Sequence, residues 1–116
     1  MTAKKVNEYD ISKQVKLYDE LIQLFPEIER KGKTLPYTSV NGNMFSFLSK
    51  GGELSIRLPE NDSEIFITKY KSQLSVQHGV VMKEYVVVPE VLLKEKKELK
   101  KYFKLSYEYA KLLKKK

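Results

Sequence analysis

The dipeptide Asn41-Gly42, set between two stretches of alternating apolar residues, constrains this chain more than any other feature. Both central positions of a two-residue type I′ turn need positive φ, which Asn tolerates and Gly adopts freely, so the pair predicts a tight hairpin. Behind it, residues 44–49 read as a strand, with Phe45 and Phe47 on one face and Met44, Ser46 and Leu48 on the other. Lys50-Gly51-Gly52 predicts a second turn. In residues 53–58 the alternation puts Leu54, Ile56 and Leu58 on a buried face and Glu53, Ser55 and Arg57 on a wet one. The expectation is an antiparallel meander.

The flanks supply helices. Ile11, Val15, Tyr18, Ile22 and Phe25 recur at helical spacing within residues 9–25, with Leu21 beside them, and Pro26 should close that helix. The polar stretch that follows predicts a brief edge strand near residues 28–31, then a strand leading into Val40. Residues 60–71 read as a helix, with Asn61 or Asp62 as its cap and acidic residues at the positive end of its dipole. Ser72 to Val80 reads as an irregular connection, and residues 80–88 as a strand ended by Pro89. A short helical turn and a longer helix complete the chain. On that last helix Leu99, Tyr102, Phe103, Ser106, Ala110 and Leu113 share one face, opposite a ridge of Lys100, Lys104, Lys111 and Lys115.

These elements predict an α+β fold in one domain of 116 residues: an N-terminal helix, an antiparallel sheet of four or five strands, and helices packed on one sheet face. No apolar run approaches the ~20 residues that span a bilayer, and the N-terminus lacks a signal-peptide apolar region, so the expected location is the cytoplasm. With no Cys in the chain, disulfides, thiol nucleophiles and thiolate metal sites are excluded. The net charge of +7 is uneven: residues 1–89 hold 12 Lys/Arg against 11 Asp/Glu, whereas residues 90–116 hold 10 Lys against 4 Glu. The basicity therefore belongs to one terminal segment.

Chemistry-bearing patterns are sparse. The single histidine, His78, reads as a solvated loop residue, and no nucleophile stands in a recognisable pattern with it. Glu60, Asp62 and Glu64 read as helix N-terminal charges rather than metal ligands, and Lys50-Gly51-Gly52 as a turn rather than a phosphate cradle. No cofactor or metal is expected. The candidate contact surface is instead Arg30, Lys31, Lys33 and Tyr37, which could hold an acidic or phosphate-bearing partner or simply form a solvated connection. Arg57 joins it from the wet sheet face, where pairing with Glu53 is the bland alternative. Lys100, Lys104 and Lys111 could solubilise the helix, meet a partner protein, or approach nucleic acid or an anionic membrane. Without interleaved Arg, sequence-specific readout of nucleic acid is not expected. An exposed sheet edge would also permit a homodimer.

Two blocks, NGNMFSFLSKGGELSIRLPENDSE and VVMKEYVVVPEVLLKEKKELKKYFKLSYEYAKLL, resemble the N-terminal domain family of the TfoX/Sxy competence regulators and its small stand-alone members. The Tyr85-Val86-Val87-Val88-Pro89 segment, with Leu92-Leu93 and Glu98-Leu99, matches the family's tail. Lys31-Gly32-Lys33-Thr34-Leu35-Pro36-Tyr37 departs from the Met-Phe-Gly-Gly often found where that family's sheet begins. The MmcQ/YjbR-like and YdhG-like small α+β domains are similar in element order. The resemblance implies an α+β fold and a non-enzymatic regulatory or adaptor role through a protein partner, with weak, salt-sensitive nucleic-acid binding by the lysine ridge as the alternative.

Overall fold

The computed structural model describes residues 11–115. Its elements are helix α1 (Ser12–Gln23), strands β1 (Tyr37–Val40), β2 (Asn43–Leu48) and β3 (Leu54–Arg57), helix α2 (Glu60–Tyr70), strands β4 (Leu74–Gln77) and β5 (Val80–Val88), and helices α3 (Glu90–Lys94) and α4 (Lys96–Leu112). The α+β architecture is as expected. The strands form one antiparallel sheet in the order β1-β2-β3-β5-β4.

Helix α1 buries Tyr18, Leu21 and Ile22 and stops ahead of Pro26. The Leu24 and Phe25 N–H groups fold back onto the Leu21 and Ile22 carbonyls to finish it. Residues 9 and 10, assigned to this helix from the sequence, lie outside the described residues. In α4 the buried face is Leu99, Phe103, Ser106 and Ala110, while Leu113 falls just past the helix end. Phe45 and Phe103 meet with ring centroids 5.7 Å apart, Phe25 meets Phe103 at 5.3 Å, and Phe66 of α2 meets Tyr102 at 5.0 Å. Sheet and helices thus share one apolar core. Inside it the Tyr18, Ser46 and Thr38 hydroxyls hydrogen-bond to one another, so none is left unsatisfied by burial.

Several expectations need correction. Residues 28–31 form no strand; Lys31 makes one isolated bridge to Tyr37, because Gly32, at φ 89°, turns the chain straight back. Asn61 and Asp62 do not cap α2: Pro59 occupies the cap and no side chain bonds there, leaving the acidic residues to act through the dipole alone. The supposed irregular connection is a hairpin, β4 to β5, turned by His78 and Gly79 at φ 54° and 76°. Asn41 and Gly42, at 55° and 82°, form the hairpin turn their types predict.

Phe45 and Phe47 do not share a face. Thr38 pairs with Ser46 but Ser39 pairs with Met44, so Phe45 is an extra residue, a β-bulge in β2. The bulge turns both Phe45 and Ser46 toward the helices and sends Phe47 to the opposite side, where it packs on Tyr85 at 5.7 Å. Nor is that opposite side simply wet, since Ser55 at its centre is fully buried. Its small side chain lies in a row between Phe47 and Val87, leaving room for Phe47 and Tyr85 to close over it.

Candidate apolar groove on the open sheet face

A groove of ≈ 420 Å³ runs along this open face. Leu35, Pro36 and Tyr37 form one wall, Met44, Phe47 and Leu48 the floor, and Met82 with Gln77 and His78 the other wall. Ser49 and Lys50 close one end. In the sheet, β3 stands between β2 and β5, so the two can face one groove only where the β4–β5 hairpin curves over the sheet.

The curvature has a local cause. Leu74 pairs with Val86 but Ser75 pairs with Met82, so Lys83, Glu84 and Tyr85 form a bulge of extra residues on the β4 side of β5, while Tyr85 stays paired with Arg57 of β3. Glu84 within this bulge has φ 78°, a left-handed conformation costly for a residue with a Cβ. Its surroundings hold it there. Arg57 Nε donates to Glu84 Oε1 at 2.8 Å, Tyr109 Oη donates to Oε2 at 2.6 Å, and the Leu58 N–H reaches the Glu84 carbonyl at 2.7 Å. Burial opposes ionisation of Glu84, but the bonds from Tyr109 and Arg57 outweigh it and hold the carboxyl below its usual range. Burial and the bond to Glu84 push Tyr109 up to about 12. Arg57 also lies 5.4 Å from the Tyr85 ring centroid, and Tyr85 Oη donates to the Met44 carbonyl at 2.8 Å, tying β5 to β2 above β3.

The residues singled out from the sequence are scattered relative to this groove. Tyr37 lines it. Arg30 is taken by Asp19 at 3.1 Å and by the Gly32 carbonyl at 2.6 Å, and Lys31 by Ser39 Oγ at 2.9 Å, whereas Lys33 is exposed. Arg57 pairs with Glu84 and not with Glu53. Lys100 and Lys104 are exposed on α4, and Lys111 lies 3.5 Å from Glu108 and 5.0 Å from the Tyr107 ring centroid. Of these residues only Tyr37 stands in the groove. His78 is exposed in the β4–β5 turn, as a solvated residue should be, but the meeting of Met44, Met82, Gln77 and His78 in one groove is not legible in the sequence. The one available signal was His-Gly between Leu-Ser-Val-Gln and Val-Val-Met, a weaker version of the Asn41-Gly42 pattern.

A second polar cluster is structural in character. Tyr70 Oη donates to Glu98 Oε2 at 2.6 Å and Lys69 Nζ to the same oxygen at 3.2 Å, joining α2 to α4 and holding the Glu98 carboxyl below its usual range. Among the described residues no set of His, Asp or Glu side chains gathers as a metal-binding group, and no helix is long and apolar enough to cross a membrane. No family model, curated protein or solved structure matches this chain.

Proposed function

We propose that this chain is a small non-enzymatic cytoplasmic protein that acts by binding, as a regulatory or adaptor module of the TfoX N-terminal kind, and that the groove over β2 is where it meets its partner. The observation that carries this reading is the groove's lining. Met44, Phe47, Met82 and Tyr37 are half-buried, largely apolar side chains brought together from three parts of the sheet, with Gln77 and His78 on one wall and Ser49 and Lys50 at one end as the polar lining groups. Apolar floors with a few polar rim groups suit ligands, and methionines adapt to different side chains. The TfoX element of the proposal rests on the residue pattern in residues 41–64 and 80–113.

Partner capture with the tagged full chain tests it. A defined partner should be enriched by the wild type, lost by a Met44→Ser, Met82→Ser double variant that keeps its circular dichroism, and retained when Lys100, Lys104 and Lys111 are changed to Glu. Retention by the groove variant would overturn the proposal.

A second reading is favoured by one feature of α4: among the described residues, Lys100 and Lys104 are exposed and have no ion-pair partner. Weak nucleic-acid binding there would fall steeply with salt and vanish on charge reversal of Lys100, Lys104 and Lys111. Titration of labelled DNA and RNA at two salt concentrations checks it, and no binding at low salt rejects it.

A further inference from the structure

We infer that the groove takes an extended peptide segment of a partner protein in which apolar residues alternate with carboxylates. The inference rests on the reading of the groove as a binding site and adds the chemistry of its occupant.

Shape is the first argument. The lining follows β2 from Met44 to Leu48, four residue steps, or about 13 Å of strand at ~3.3 Å per step, and continues past the strand end to Ser49 and Lys50. A long trough beside a strand matches an extended chain better than a compact molecule. An extended chain also sends alternate side chains to opposite sides, so every second residue of the occupant would enter between Phe47, Met44 and Met82 while the intervening ones face the rim.

Charge is the second. The lining contains no Asp or Glu, while Lys50 stands at one end and His78 on the hairpin wall, both exposed. Lys33 is exposed on the loop that leads into the Leu35-Pro36-Tyr37 wall. Glu84 faces Arg57 and Tyr109 at the hairpin's base, and Glu53, across the turn from Ser49, lies outside the lining. An anionic residue on the occupant therefore meets the Lys50 ammonium and no carboxylate within the lining, whereas a cationic one meets no acidic partner there.

Fluorescence anisotropy with three labelled peptides and the full chain tests this. The peptides share a Leu-x-Phe-x-Leu core in which x is Asp, Asn or Lys. The Asp peptide should bind tightest and the Lys peptide weakest. Lys50→Glu should weaken the Asp peptide by about twofold to fivefold, the scale of an exposed ion pair, and leave the Asn peptide unchanged. The Met44→Ser, Met82→Ser variant should lose all three, and Met82→Ser alone serves if the double variant does not fold. Equal binding of the three peptides, abolished by the groove variant, overturns the acidic preference while leaving the groove as the binding site. Binding that ignores the groove variant overturns both, and so does failure of every peptide to bind a folded wild type. Decanoate displacing the Asp peptide at lower concentration than the unlabelled peptide itself would make the occupant a small amphiphile and overturn the inference. So would a dimer by sedimentation that the groove variant dissociates, because the occupant would then be a second copy.

Discussion

Arg57, the last residue of β3, holds Glu84 of β5 through a 2.8 Å bond from Nε to Oε1, and the residue so held is one whose backbone stands at φ 78°. The pair therefore does more than neutralise two charges. It anchors the bulge from which the β4–β5 hairpin bends over the open face, and so sets the wall of the groove that carries Gln77, His78 and Met82. Both side chains are partly exposed, at 21% and 31%, so solvent screening limits what the ion pair itself contributes.

Glu84→Gln keeps the side chain's size and removes its charge. It should lower stability by about 1 kcal/mol, read from the urea midpoint. Greater hydrogen exchange in β4 and β5 than in α1 should accompany the loss, because the Glu84 side chain ties the bulge to Arg57 and Tyr109. A uniform change across the chain would show that the pair has no special hold on the hairpin.

Glu84 and its donor Tyr109 predict pH behaviour at the two extremes. Glu84 has a depressed folded pKa, so its contribution is present above its unfolded value of about 4.3 and is lost as pH falls through the folded value. The stability gap between wild type and Glu84→Gln should shrink on acidification. Tyr109 is shifted the other way: its contribution is complete below about 10 and is lost as pH rises toward its folded value of about 12. Urea midpoints of wild type and Tyr109→Phe should therefore converge in that alkaline window.

Tyr18 tests the buried hydroxyl cluster. Tyr18→Phe removes one member but leaves Ser46 and Thr38 bonded to each other, at a cost of about 1 kcal/mol. Tyr18→Ala also empties fully buried space and should cost about 3–5 kcal/mol. Chemical denaturation of the two variants separates the polar contribution from the packing one.

Two glycines with positive φ should differ sharply on substitution. A Cβ on Gly32 would lie 2.2 Å from the Leu35 carbonyl oxygen, so Gly32→Ala must displace the loop that supplies the Leu35-Pro36-Tyr37 wall, at a cost on the order of 2–3 kcal/mol. At Gly79 nothing lies within 4 Å, and only the left-handed backbone resists a side chain, costing about 1 kcal/mol. Thermal melts of the two Ala variants check the order, and equal losses would contradict it.

What was legible in the sequence was whatever repeats over a few residues. The apolar stripe of α1, the turn at Asn41-Gly42, the strand ending at Pro89 and the buried face of α4 all follow from spacing and from residues whose backbone preferences are strong enough to act alone. Those signals determined an α+β chain with helices on one side of an antiparallel sheet. Only the tertiary structure decided where the alternation breaks. A bulge belongs to the pairing between two strands, so nothing in MFSFL indicates that Phe45 is the extra residue, and the apolar character of both Phe45 and Phe47 fits either face. The second bulge, at Lys83 to Tyr85, chose Glu84 over Glu53 as the partner of Arg57 and curved the hairpin until Met82 faced Met44. The groove exists because strands that are not neighbours in the sheet were bent together, a relationship set by long-range pairing that local periodicity does not encode.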